Sequence, residues 1–272
     1  MKVTIKDFIP EHTFDCGQCF RWKKQPDGGY IGVAGGQVAR IKADGESVTI
    51  DGITEKDYEN FWKYYLDADR DYSEIKNAVS TNDIMKSAVS FGGGIRILRQ
   101  EFFETLISFI ISQRSSIPKI KSSVEKMCSL WGNKIIFEGK VYYTFPSPEK
   151  IASLTEQDVR SVGVGYRAPY IIKAAQAVLN GDIKEEDLLN LDTYSARKKL
   201  LTLYGVGDKV CDCVLLFSLG KYDLFPADVW IKRVMEESFN TKDAKNIGES
   251  LFGSYSGFAQ QYLFYWRKFN NV

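Results

Sequence analysis

Histidine occurs once in the 272 residues, cysteine five times, and no apolar run reaches the eighteen residues that a membrane-crossing helix needs. A single histidine excludes a three-histidine zinc centre within one chain. The cysteines stand at 16, 19, 128, 211 and 213, which lacks the close four-cysteine spacing of a familiar iron–sulfur cluster. Their odd number and irregular spacing also argue against a disulfide framework. The opening MKVTIKDFIPEHTF carries no apolar signal core, so an intracellular, soluble chain is the expectation. Excess charge is scarce too. With 36 basic and 35 acidic side chains the formal charge is +1, which excludes a strongly basic coat but leaves room for a local basic face. What remains is a core-forming composition: 44% hydrophobic, with only 7 prolines and 22 glycines.

Residues 1–50 alternate short β-prone runs with Asp27-Gly28-Gly29, Gly35-Gly36 and Asp44-Gly45, which predicts a twisted antiparallel sheet. Cys16-Gly-Gln-Cys19 is formally a CxxC. A redox motif should open a helix after a strand, whereas this one runs into Phe20-Arg21-Trp22 and a glycine-rich hairpin. No second CxxC completes a zinc site, and two small residues beside a tight turn is the plainer reading. From Thr54 the pattern becomes helical. Asp57 follows Thr54 at capping-box spacing, and Tyr58, Phe61, Trp62 and Tyr65 recur on one helical face. A helix over DIMKSAVSF ends at Gly92-Gly93-Gly94, EFFETLISFII reads as a central core helix, and Pro118 stands near the first turn of the next. Residues 1–90 carry 12 basic and 15 acidic side chains, and the remainder 24 and 20. The helical part is therefore the better candidate to meet an anionic partner. Two units are expected: 1–90, a β domain with trailing helices, and 91–272, a helical domain.

Two segments repeat a pattern: EQDVRSVGVGYRAPYIIKAAQAVL and ARKKLLTLYGVGDKVCDCVLLFSL. Each sets Gly-Val-Gly between two helical runs, at 163–165 and 205–207. Such turns either make ordinary α-hairpins or aim the amides that open the following helix at a phosphate. Lys209 falls in the first turn after Gly207, an unfavourable place for a cation in the helix dipole. It is either turned to solvent or held as a neutral, nucleophilic amine. Cys213 lies four residues on and Asp212 three. Asp228, after Pro226, stands where an N-cap should precede Val229–Phe239. Capping does not exclude chemistry: a carboxylate held by helix amides stays ionised and can stabilise positive charge on a sugar. A lysine and an aspartate without a metal suit departure of a base from C1′ and capture of the sugar as a Schiff base. On these residues alone a non-catalytic duplex-binding module remains open.

LYGVGDKVCDCVLLFSLGKYDLFPADVW resembles the helix–hairpin–helix and Gly/Pro-rich loop with aspartate of the DNA glycosylase superfamily, in its lysine-bearing bifunctional branch. GQCFRW at 17–22, GGIRILRQEFFETLISFI at 93–110, GVGYRAPYI at 163–171 and GFAQQYLF at 257–264 are similar to the 8-oxoguanine DNA glycosylases, in family order over nearly the whole chain. The resemblance implies an α+β fold, a small N-terminal twisted antiparallel sheet packed on a mostly helical core. It places the helix–hairpin–helix at about 195–219 and base-pocket helices at the C-terminus. It implies excision of 8-oxoguanine from duplex DNA and strand cleavage 3′ to the abasic site, with no cofactor.

By the same resemblance Lys209 is the nucleophile and Asp228 the catalytic carboxylate. The Gly17 carbonyl accepts the N7–H that oxoguanine has and guanine lacks, and Gln260 reads the Watson–Crick edge. Phe264 and Cys213 sandwich the extruded base. Tyr166 is the wedge and Arg167 reads the orphaned cytosine. Gly205 and Gly207 grip the backbone, and a monovalent cation at hairpin residues 203–207 would be in keeping with the family. A monomer is expected, intracellular and DNA-associated, in the cytoplasm or nucleoid if the source is bacterial or archaeal, with no membrane partner. The sequence departs from the pattern in three places. Arg114-Ser115-Ser116 replaces an asparagine triplet whose first member contacts the opposite cytosine, Lys119 replaces an arginine, and Trp230 replaces a histidine at the DNA backbone. A glycosylase for alkylated bases is the nearest enzyme alternative, but it has no use for Lys209 or for the set Gly17, Gln260 and Phe264.

Overall fold

The computed structural model describes residues 1–270. Its N-terminal part holds β1 (Lys2–Thr4), the short helix α1 (Pro10–Phe14), β2 (Lys23–Lys24), β3 (Tyr30–Ala34), β4 (Gln37–Asp44) and β5 (Ser47–Asp51). These strands form one antiparallel sheet in the order β1-β5-β4-β3-β2, with Tyr30 opposite Ile41 and Ile41 opposite Ile50. Every residue of β3 is buried. The period of two explains how: Tyr30 and Ala34 face an inner cluster with Phe14, Trp22 and Trp62, while Ile31 and Val33 face outward. Gly32 lies between the inner pair because a Cβ there would stand 2.5 Å from the Trp22 ring. A second hairpin, β6 (Lys134–Phe137) with β7 (Lys140–Tyr143), covers the outer face through Ile135, Phe137 and Tyr142.

The remainder is helical. Thr54 and Asp57 form the expected capping box ahead of α2 (Glu55–Asp57), which a π-helical turn over Tyr58–Trp62 joins to α3 (Lys63–Tyr65). Then come α4 (Tyr72–Val79), α5 (Asp83–Phe91), α6 (Phe102–Ser112), α7 (Ile117–Trp131), α8 (Pro148–Ala152) and α9 (Glu156–Val159). They are followed by α10 (Ala168–Leu179), α11 (Glu185–Asn190), α12 (Thr193–Leu200), α13 (Asp208–Phe217), α14 (Val229–Phe239), α15 (Ala244–Phe252) and α16 (Ser256–Phe269). Helix α6 is the hub. Eight of its residues are buried, and it packs on α7, α10 and α13. No helix among the described residues is long and apolar enough to cross a membrane. The chain is thus α+β, a small antiparallel sheet against a large helical core.

The packing does not divide at residue 90. Helices α4 and α5 lie on α16, and Tyr72, Ile75, Val79, Met85 and Ala88 belong to the helical cluster. The fully buried part of the sheet cluster runs to Leu66, and beyond it Leu98 joins and Ala68 packs against it. Contacts of the helical cluster thus run across Gly92–Gly94. Arg96, just beyond it, is fully buried and fastens the two clusters. Its guanidinium donates to the carbonyls of Lys6 at 2.6 Å, Arg70 at 2.9 Å, Leu66 at 3.3 Å and Asp67, and lies 4.1 Å from the Tyr72 ring centroid. A buried cation without a carboxylate is tolerable here because its donors are so fully used.

Candidate active site

A cavity of about 840 Å³ opens between α6, α13, the start of α14 and α16, with the coil at 16–20 as one wall. Gly17, Lys209, Cys213, Asp228, Gln260 and Phe264 line it together, and Gly207, Arg114 and Trp230 are also on its surface.

Lys209 is the second residue of α13, as the spacing after Gly207 predicts. Its Nζ donates to Ser112 Oγ at 3.2 Å and stands 4.8 Å from the Phe109 ring centroid. Both partners lie on α6, so the core hub aims the amine. Asp228 is the N-cap of α14, and its Oδ1 accepts from the Ile231 amide at 2.9 Å. That bond uses one carboxylate oxygen and leaves the other for the cavity. Cys213, one turn beyond Lys209, is buried. Burial pushes its thiol up to about 11 against the pull of the Lys209 charge, so it stays a neutral, polarisable wall. Asp212 does not pair with Lys209. It is 1% exposed, accepts Arg197 Nε at 2.7 Å and Lys245 Nζ at 2.9 Å, and so ties α13 to α12 and α15. Arg197 also reaches Asp208, and Lys245 reaches Glu249.

The opposite wall is built around Gly17, with φ of +85° in the left-handed region. The carbonyls on either side of it are held: Cys16 O by Gln261 Nε2 at 2.6 Å, Gln18 O by Gln100 Nε2 at 2.8 Å. The Gln18 side chain is fully buried, donates to Thr13 O and Arg96 O, and accepts from the Leu98 amide. Among the described residues nothing donates to the Gly17 carbonyl itself. Cys16 and Cys19 are both buried, and burial pushes the Cys16 thiol up to about 12, which leaves it inert. Gln260 is 5% exposed, and its Oε1 is buried without a partner. An unsatisfied buried acceptor costs about 1–3 kcal/mol, which a donor entering the cavity would relieve. Phe264 follows on the same face of α16, half-buried against Gly17 and Ile117.

Tyr166, Arg167 and Lys119 lie outside the cavity lining. Tyr166 is exposed in a 3-10 turn, in a tyrosine ladder with Tyr170 (centroids 6.0 Å) and Tyr204 (4.9 Å from Tyr170). Arg167 is not displayed for a base edge. It is 5% exposed, and its guanidinium donates to the carbonyls of Val164 and Gln113 under the Tyr166 ring. Reaching a cytosine requires it to leave Gln113. Lys119 is exposed in the first turn of α7. Arg114 has φ of +49°, a left-handed backbone that suits asparagine better than arginine.

The two Gly-Val-Gly turns are not copies. At the first, Gly163 and Gly165 have φ of +88° and +59° inside a π and a 3-10 turn. At the second only Gly205 is left-handed, and Gly207 is extended as the N-cap of α13. Gly205 is required for space as well, since a Cβ would stand 2.2 Å from the Tyr170 ring. Its carbonyl accepts Gln113 Nε2 at 3.0 Å, and the Leu203 carbonyl accepts the Val206 amide. Each still has a second lone pair to offer a cation. Sequence reasoning missed Ser112, Gln18, Gln261 and Lys268. For the two glutamines a signal exists, amides embedded in apolar or turn sequence, but it does not say what they hold.

Comparison with known proteins follows this geometry. Residues 1–106 match the 8-oxoguanine DNA glycosylase N-terminal domain, and 107–251 match the HhH-GPD superfamily of base excision DNA repair proteins. A probable N-glycosylase/DNA lyase of Methanothermobacter thermautotrophicus is 32% identical over 74% of this chain and 72% of its own. The structure of MBOgg1 with a low affinity DNA ligand superposes with a TM-score of 0.97 at 42% identity, covering 100% of this chain and 96% of that one. The Clostridium acetobutylicum 8-oxoguanine glycosylase/lyase, bound to duplex DNA with cytosine opposite 8-oxoguanine, gives 0.95 at 41% identity over 98% and 94%.

Proposed function

The chain belongs to the 8-oxoguanine DNA glycosylase family of the HhH-GPD base excision repair superfamily, and from that premise we propose how its cavity carries out the reaction. It is a bifunctional enzyme that excises 8-oxoguanine from duplex DNA and cleaves the strand at the resulting abasic site. The observation that carries the residue assignment is the meeting, in one cavity of one chain, of an amine, a capped carboxylate, an aromatic ring at Phe264 and a neutral thiol at Cys213. One chain supplies every group, so we take the monomer as the acting unit.

A base in a duplex is out of reach, so the nucleotide is extruded at a cost of a few kcal/mol. Tyr166 supports the gap, and Arg114 and a released Arg167 contact the opposite strand. Gly205, Gly207, Lys119 and Trp230 hold the backbone, with the Gly207–Lys209 amides opening α13 toward a phosphate. The purine slides between Phe264 and Cys213. Gln260 Oε1 accepts from its Watson–Crick edge, and the Gly17 carbonyl accepts N7–H. Guanine presents a lone pair at N7 instead, so the same carbonyl then faces an acceptor and binding is penalised.

The Lys209 ammonium first gives up a proton to solvent, and the lone pair so freed attacks C1′. The C1′–N9 bond breaks, and its electron pair leaves with the base, which takes up a proton. Asp228 stabilises the positive charge developing on the sugar. After the amine gives up a proton, its lone pair expels O4′, which is protonated, and a protonated imine remains. Loss of a C2′ proton then drives out the 3′ oxygen as phosphate, which cuts the strand. The only histidine, His12, lies 5.2 Å from the Tyr265 ring and does not line the cavity. The excised base is therefore the proton carrier. The test is borohydride trapping on a duplex with 8-oxoguanine opposite cytosine. Wild type gives a covalent adduct and Lys209→Gln gives none. Excision without an adduct would refute the lysine route.

A further inference from the structure

Lys268 is a pocket residue that this chemistry leaves unused. It lies on the last turn of α16, one turn beyond Phe264, and lines the same cavity. Its Nζ is 5.5 Å from the Phe264 ring centroid and 4.8 Å from that of Phe269. Among the described residues it has no carboxylate within ion-pair distance. The nearby Asp15 is already taken, by Lys121 Nζ at 3.1 Å and Tyr30 OH at 2.5 Å. Trp230 on the rim carries no charge, and Lys209 is committed to Ser112.

Burial lowers the Lys268 pKa against the pull of Asp15 and Asp228, so the ammonium is held at a cost that an arriving anion removes. The base that enters is neutral. The anions that come with it are the phosphates flanking the extruded nucleotide, which must pass the rim as the base goes in. We propose that Lys268 clamps one of these phosphates at the mouth of the base pocket. It would thereby seat the sugar against Lys209 before bond breaking. This rests on the reading that the cavity takes an extruded nucleotide.

The test measures binding in the Lys209→Gln background, so that substrate survives, on two duplexes. One carries 8-oxoguanine, and the other carries tetrahydrofuran, which keeps both phosphates and has no base. Losing one phosphate contact lowers the slope of log affinity against log salt by about 0.9. Between 50 and 200 mM salt the Lys268→Met protein should then lose about 3.5-fold less affinity than its parent, equally on both duplexes. Lys268→Arg should restore the slope. A methylphosphonate at the clamped position should lower the slope for the parent protein by the same amount, and this requires no variant to fold. An unchanged slope in Lys268→Met, or a loss confined to the 8-oxoguanine duplex, overturns the proposal; the second result would assign the amine to a base carbonyl. Wild type that fails to excise 8-oxoguanine would overturn the extrusion reading instead.

Discussion

Replacing Gly17 by alanine should damage stability and excision by two separable routes. The backbone at Gly17 has φ of +85°, where an L residue costs about 1–2 kcal/mol. The added methyl would stand 3.0 Å from Phe264 Cε1, 3.3 Å from its Cζ and 3.4 Å from Ile117 Cδ1. Carbon contacts are comfortable at about 3.5–4.0 Å, so the Phe264 ring must retreat by roughly half an ångström or more. Phe264 is half-buried and able to move, so the methyl should be accommodated by the pocket and not by unfolding. Base–aromatic stacking is worth about 1–3 kcal/mol, and losing about 1 kcal/mol of it slows single-turnover excision roughly fivefold. Gly36 supplies the control. Its φ is +71°, and a Cβ there meets nothing within 4 Å. Gly36→Ala should show a similar drop in urea-unfolding free energy with normal excision of 8-oxoguanine opposite cytosine. If Gly17→Ala were as stable and as fast as wild type, or if Gly36→Ala lost excision equally, the account of this wall would be wrong.

Asp212→Ala should cost about 2–4 kcal/mol in urea unfolding, toward the low end of a broken buried ion pair because Arg197 keeps Asp208 and Lys245 keeps Glu249. A loss below about 0.5 kcal/mol would show that the network does not hold α13. Burial raises the thiols of Cys16, Cys128 and Cys211 to about 12 and that of Cys213 to about 11, from an ordinary value of 9.0. The folded chain then binds more protons than the unfolded one above pH 9. Stability should fall as pH rises from 9 toward 11, by up to about 1.4 kcal/mol per pH unit per thiol. Urea midpoints at pH 8 and pH 10 measure it, and equal midpoints would contradict the burial of these thiols.

The parts of the fold legible in the sequence are those with local causes. Thr54 and Asp57 cap their helix because the capping box is closed within four residues, and Asp228 caps Val229–Phe239 for the same reason. Gly205 marks its turn because no other residue tolerates both its φ and the Tyr170 ring. What was not legible depends on distant partners. The glycine run at 92–94 looks like a boundary, but helices α4 and α5 find their cover on α16, at the far end of the chain. Arg167 looks like a surface arginine after a glycine turn. It turns inward because α6 ends nearby and leaves the Gln113 carbonyl free to accept it. Lys268 carries no signal at all, since a lysine in the last turn of a helix is what the dipole favours anyway.

Discrimination by a single hydrogen atom sets a mechanical requirement. A carbonyl that faces N7–H in the lesion and a lone pair in guanine discriminates only if it cannot retreat from the mismatch. In the proposed role the Gly17 carbonyl would meet this condition through its neighbours, since among the described residues it accepts no bond of its own. The carbonyls at 16 and 18 are both pinned, from α16 and from the strap at 92–101 between α5 and α6, which carries Gln100, and the Gln18 side chain spans Thr13, Arg96 and Leu98. Arg96 in turn binds that strap to four carbonyls of the sheet side. Lys209 is located independently, by Ser112 on α6 and by the Asp212 network beneath α13. The proposed reading group, Gly17, and the proposed reacting group, Lys209, thus line one cavity with separate anchors. On the proposed roles, a lesion that fits at Gly17 is brought to Lys209, whereas a guanine repelled at Gly17 is held away from the amine. Loosening the strap should therefore erode selectivity for 8-oxoguanine over guanine before it erodes the capacity to cut an abasic site, because β-elimination needs Lys209 and not Gly17.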